Sequence, residues 1–124
     1  VTDDVSIGGN LSSSNTAPLE VTASLALVPG ATATITAGLT IPHSNQSLLW
    51  IDAASAVDTS SSAAIAAGTV EGQMLGIMNS NTYVITVKTS AASEFGGDIA
   101  LGLYDYLQVV WDGSVWVRMF STDN

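Results

Sequence analysis

Residues 105–120, DYLQVVWDGSVWVRMF, decide the fold. Asp112-Gly113 lies between two runs rich in Val, Trp, Leu and Phe. A tight turn that matches the twist of its flanking strands needs positive φ, which Gly supplies freely and Asp tolerates. The stretch therefore reads as an antiparallel hairpin. Upstream, Ala33, Ile35, Ala37, Leu39 and Ile41 alternate with Thr34, Thr36 and Thr40, the two-residue period of a strand buried on one side. Val28-Pro29-Gly30 turns the chain before that strand and Pro42 ends it. Further strands are predicted over 46–52 (QSLLWID), 73–79 (QMLGIMN), 82–89 (TYVITVKT), 105–111 and 115–120, with 73–79 and 82–89 joined around Ser80-Asn81 as a second hairpin.

Residues 53–67 (AASAVDTSSSAAIAA) carry enough Ala for helix, but the Ser60-Ser61-Ser62 run and β-branched neighbours favour a loop or edge strand. Residues 90–98 read as a loop with a turn at Gly96-Gly97. Short strands at regular spacing predict an all-β chain, an antiparallel β-sandwich of jelly-roll type. Residues 1–18 (VTDDVSIGGNLSSSNTAP) lack an apolar period and read as an extended N-terminal arm on a sandwich domain spanning 19–124.

Composition narrows the function. Two Lys plus Arg stand against 11 Asp plus Glu, a formal charge of −9. Such a surface cannot neutralise a run of phosphates or hold an anionic membrane, so neither nucleic acid nor membrane is an expected partner. Charged residues make up 10% of the chain against 47% apolar, where soluble domains carry about 25% charged. A monomer would be left with extensive uncharged surface, and the composition suits faces covered by further copies or by a larger assembly. With no Cys there are no disulfides, thiolate metal sites or Cys nucleophiles. No apolar run reaches the roughly 18 residues of a membrane helix. The chain begins VTDDV, without Met or a basic flank, as a processed chain or a piece of a longer one would.

No constellation of residues carries catalysis. The one histidine, His43, follows Pro42 and precedes Ser44, and no GxSxG elbow occurs. Asp3-Asp4, Asp98, Asp105 and Asp112 lack the close spacing of a calcium loop and read as turn residues, so no metal and no cofactor is expected. Gly8-Gly9 and Gly96-Gly97 are turn glycines, with no Lys following to complete a phosphate cradle. Asn10-Leu11-Ser12 and Asn45-Gln46-Ser47 fit the glycosylation triplet in a chain rich in Ser and Asn.

The aromatic cluster is more informative. Tyr104, Tyr106, Trp111, Trp116 and Phe120 fall within seventeen residues. Alternation puts Trp116, Arg118 and Phe120 on one face of the last strand and Val115, Val117 and Met119 on the other. The valine face is expected in the core, with Trp111 and Trp116 on opposite sides of the sheet or unequally buried. Arg118 is expected to pair with Asp112 or Asp105, or to stack on an aromatic ring.

Residues 68–89 (GTVEGQMLGIMNSNTYVITVKT) and 93–119 (SEFGGDIALGLYDYLQVVWDGSVWVRM) together resemble a β-domain widespread in tailed-bacteriophage virion proteins. The landmarks are Gly72-Gln73, Leu75 to Asn79, Val84 to Val87, Gly96-Gly97, Leu101 to Asp105 and the Val110 to Val117 hairpin, and the likeness spans roughly residues 40–120. VSIGGNLSSS near the start is similar to approach segments of fibre proteins. The resemblance implies a non-enzymatic virion structural protein with no catalytic residues. The leading expectation is a homotrimeric capsid decoration (cement) protein seated on the major capsid protein or other virion proteins. The alternative is a tail-fibre or tail-needle module that recognises host glycans. In either case Ile7, Leu11, Tyr104, Tyr106, Trp116, Arg118 and Phe120 are the candidate subunit or capsid contacts.

Overall fold

The computed structural model describes residues 26–43 and 46–123; the predicted arm, with Ile7 and Leu11, lies outside them. Nine strands follow in chain order: β1 (Ala33–Thr34), β2 (Leu48–Asp52), β3 (Val57–Asp58), β4 (Met74–Asn79), β5 (Ile85–Val87), β6 (Ser93–Glu94), β7 (Ile99–Leu101), β8 (Tyr106–Trp111) and β9 (Trp116–Ser121). The described residues contain no helix. A six-stranded sheet has the order β1-β2-β4-β8-β9-β6 and a three-stranded sheet the order β3-β5-β7. The fold is all-β, as its sequence predicts.

Strand direction departs from the antiparallel jelly-roll expectation. β1–β2, β2–β4, β3–β5 and β6–β9 pair parallel, while β4–β8, β5–β7 and β8–β9 pair antiparallel. Parallel neighbours cannot be joined by a tight turn and need a crossover. Here the small sheet supplies it: the chain leaves the large sheet after β2, lays down β3 and returns as β4. For the same reason the expected 73–79/82–89 hairpin does not form. After β4 the chain crosses to β5 in the other sheet, and β4 pairs with β2 and β8 instead.

The strand predicted over 33–41 is cut short. Ile35 and Ile41 are buried, but Ala37 and Leu39 are exposed, because a turn closed by the Leu39 N–H on the Thr36 carbonyl (3.0 Å) interrupts the alternation. Gly38 occupies that turn at φ 74°. Ile41 then bridges to Ile65, within the stretch predicted as loop or edge strand. The 90–98 loop contains β6, which adds to the edge of the large sheet.

The core lies between the sheets. Leu49, Ile51, Leu75, Ile77, Leu107 and Val109 from the large sheet meet Ile85, Val87, Ile99 and Leu101 from the small one, with Phe95, Ile41 and Ile65 closing the sides. Each such side chain contributes roughly 1.5–3 kcal/mol when fully buried.

The C-terminal hairpin forms, with its faces the reverse of those expected. Trp111 and Trp116 are direct cross-strand partners, 8% and 0% exposed, with ring centroids 5.3 Å apart. They close a loop of four residues, and directly opposed residues of an antiparallel pair lie on the same face of the sheet. Gly113 takes φ 101° in that loop. The Asp112 carboxylate accepts the Ser114 and Val115 N–H groups at 2.8 Å each, and these, Val115 first, hold its pKa below the ordinary aspartate value. Trp116 enters the core because its polar atom is satisfied there. Its Nε1–H donates to the Ala66 carbonyl at 2.8 Å, and His43 packs edge-on at 5.6 Å with Nε2 on the carbonyls of Ala66 and Ala67. Val115 and Val117 are only half-buried and Met119 is exposed.

Candidate assembly interface

The side of the large sheet turned away from the core is built from the same kind of residue as the core. Trp50, Met78 and Tyr106 form one row across β2, β4 and β8. Leu48, Gly76, Gln108 and Phe120 form the next, and Met74, Val110 and Val117 a third. None of the ten carries a charge; the nearest acids in register are Asp52, at the end of β2 two residues beyond Trp50, and Glu94, on edge strand β6 beside Val117. Trp50 is 39% exposed and Phe120 55%. A sheet face left to solvent ordinarily alternates to polar residues, and a contiguous apolar patch of this kind marks an interaction site.

Two local features shape this face. Register in β9 shifts between the partners of Gln108 and Val109, so that Gln108 opposes Phe120 and Val109 opposes Arg118, with Met119 the additional residue. This bulge breaks the two-residue period and moves Phe120 from the Trp116 side to the Val117 side. Gly76, in turn, lets the Tyr106 ring lie flat across β4, since a Cβ there would collide with the Tyr106 hydroxyl.

Of the candidate contacts, Tyr106 and Phe120 therefore share the outer face. Trp116 is corrected to a core residue whose side chain no partner could reach. Arg118 is exposed near the sheet edge in phase with Val109, while Asp112 is committed to its turn and the Asp105 carboxylate accepts the Gly102 N–H at 2.7 Å. Tyr104 sits apart, on the turn before β8. Sequence reasoning missed Trp50, Gly76, Met78, Val110 and Val117. The signal was available: LLWI, MLGIM and YLQVVW are apolar at both parities, as strands covered on both faces are.

Elsewhere the ionic groups serve the fold. Lys88 donates to Asp98 and lies 3.8 Å from Asp58. That hydrogen bond raises the lysine pKa and, with the Thr89 N–H, lowers that of Asp98. No group of three or more His, Asp or Glu positioned to hold a metal occurs among the described residues, and no helix there is long and apolar enough to cross a membrane.

No curated protein matches the chain. A protein family does: the phage depolymerase C-terminal beta sandwich domain matches residues 31–117, a span holding β1 to β8, the Asp112-Gly113 turn, the start of β9 and most of the apolar outer face. The match agrees with the resemblance to bacteriophage virion β-domains and with the two-sheet architecture. Because it covers well over half of the 124 residues, the chain belongs to the family of phage depolymerase C-terminal β-sandwich domains.

Proposed function

We propose that the protein is a non-catalytic module of a phage tail fibre or spike that self-associates, as a homotrimer, through the outer face of its large sheet. The observation that carries this reading is the uncharged apolar surface running from Trp50 to Phe120. A chain with a charge of −9 repels its own copies everywhere except where charge is absent, so this face is the one on which identical copies meet at least electrostatic cost. Its residues are large and apolar, including Trp, Tyr, Phe and Met, the types enriched at the centres of subunit interfaces.

The family's tie to depolymerases favours the tail over the capsid surface, and so the alternative over the cement reading. Polar groups that might have been catalytic have structural tasks: His43 on two backbone carbonyls, Asp105 on a turn N–H, Asp98 on Lys88. A structural role within a longer, glycan-degrading assembly is the function these assignments support.

Light scattering on the chain at micromolar concentration tests the reading, with three times the chain mass expected. A monomer at high concentration would overturn it. On purified particles, a few copies confined to the tail are expected, and many copies per head would restore the decoration role.

A further inference from the structure

At one end of the sandwich three loops converge: residues 53–56 after β2, 80–84 between β4 and β5, and 102–105 between β7 and β8. Buried Asn79 ties them together. Its Nδ2 donates to the carbonyls of Tyr83 and Leu101 at 2.8 Å each, and its Oδ1 accepts the Asn81 N–H at 3.0 Å. Its carbonyl accepts the Tyr104 N–H at 2.8 Å. Asn81 Nδ2 reaches across to the Ala53 carbonyl at 3.0 Å. Loops clasped in this way are held in one arrangement, which lowers the ordering cost of binding.

The loops present two tyrosine rings to solvent, Tyr83 at 46% and Tyr104 at 60% exposure. Tyr104 holds φ 64°, a left-handed conformation that residues other than Gly, Asn and Asp seldom take and that clusters at ligand clamps. Residues 53–56 (AASA) and 80–84 (SNTYV) contain no charge, and the one charge of 102–105 (GLYD), Asp105, is buried with its carboxylate on the Gly102 N–H. Tyr with Ser, Asn and Gly is the composition of antibody recognition loops, where rigid aromatic area is combined with adaptable hydrogen bonding.

We propose that this loop end binds a neutral saccharide, with Tyr83 and Tyr104 as stacking platforms and the exposed hydroxyls of Ser55 and Thr82 as hydrogen-bonding groups. A pyranose offers a C–H face to an aromatic ring and hydroxyls to polar side chains, and needs no charge. An anionic polysaccharide would be repelled by the acidic chain. A protein partner calls for broader apolar surface, which this molecule carries on the outer sheet face. The inference takes its ligand class from the tail-module reading but does not depend on the trimer.

Affinity electrophoresis of the whole chain in native gels cast with dextran, mannan, galactan or β-1,3-glucan tests it, with hyaluronate as the anionic control. Retardation by at least one neutral polymer and none by hyaluronate is expected. Tyr83→Ala and Tyr104→Asn, the latter suited to the left-handed backbone, should each weaken retardation at least 10-fold, and Val70→Ser, exposed on another loop, should leave it unchanged. Retardation by no neutral polymer, or equal retardation of the tyrosine variants, would overturn the proposal. Light-scattering mass and position on the particle report the assembly and tail readings separately, so either can fail while the other stands.

Discussion

The two faces of the large sheet are written in nearly the same alphabet and have different fates. The inner face carries Leu49, Ile77, Leu107, Trp111 and Trp116, all closed over within the chain. The outer face carries Trp50, Met78, Tyr106, Val117 and Phe120, with no sheet packed on top. Hydrophobicity alone does not separate core from interface. The difference lies in how the polar atoms are settled: the Trp116 N–H ends on Ala66, and the His43 ring seals the same carbonyl. The inner face is thus specified by one chain. The outer face is left uncovered by the chain's own sheets, and the proposed self-association would remove its apolar area from water.

The sharpest way to break that contrast is Trp116→Ala. Deleting a fully buried Trp costs about 3–5 kcal/mol, and here the Ala66 carbonyl also loses a donor. Phe120→Ala, on the outer face, is expected to cost under about 1 kcal/mol in the dissociated chain. Urea denaturation at low protein concentration measures both, and equal losses would erase the distinction between the faces.

Asn79→Ala comes next. Asn79 stands in the core register beside Ile51, fully buried, and its removal leaves the carbonyls of Tyr83 and Leu101 without that donor. A buried polar group left unpaired costs about 1–3 kcal/mol, so a loss on the order of 2–4 kcal/mol is expected in the same assay. Hydrogen exchange should rise first in residues 80–84 and 102–105, the loops that Asn79 clasps.

Much of this architecture was legible in the sequence, for reasons the two faces also explain. Asp112-Gly113 announces the hairpin because turn chemistry is local. Strand positions are readable within a few residues because β-branched and aromatic runs bounded by Gly, Pro and Ser are local as well. Pairing is not local: whether MLGIMN joins TYVITVKT or crosses to another sheet depends on what lies opposite, and parallel neighbours leave no turn signature. The face assignment of β9 failed because alternation has no sign. It says that Trp116 and Val117 point apart but not which points inward, and the bulge at Met119 then broke the period itself. Tyr106 and Phe120, named as candidate contacts from the sequence, do lie on the outer face. The companion residues on β2 and β4 were not named, since a strand apolar at both parities does not tell which of its faces its own chain covers.

Val117→Asp sharpens the comparison at smaller energetic scale. Val117 is half-buried on the outer face opposite Val110, so the isolated fold should lose only about 1 kcal/mol. The charge would nonetheless be forced into the proposed subunit contact. Light scattering should show the mass falling towards that of one chain while the far-ultraviolet circular dichroism stays β. Gly76→Ala acts on the same face by displacing the Tyr106 ring, and a weaker oligomer with a retained fold is expected there too. A fold-breaking Val117→Asp would mean that this face is completed within the chain.

The smallest effects belong to the charges at the margin of the small sheet, and their signs can be worked out. Asp98 has its pKa lowered in the fold, first by the Lys88 hydrogen bond and then by the Thr89 N–H. A depressed carboxyl contributes stability above its unfolded value, about 3.9, and that contribution is lost as pH falls through the lower folded value. Lys88 is shifted upward, first by the hydrogen bond to Asp98. Its contribution is complete below the ordinary lysine value and disappears as pH rises through the higher folded one. The pair is therefore intact across the neutral range and fails at both ends. Thermal unfolding should show a slightly lower Tm for Asp98→Asn at pH 7, with the gap from the parent narrowing in strong acid. Salt should narrow the gap as well, because the pair is solvent-screened. Asp112 is lowered by backbone N–H groups, Val115 first, rather than by a cation, so its acid dependence should persist in salt that suppresses that of Asp98.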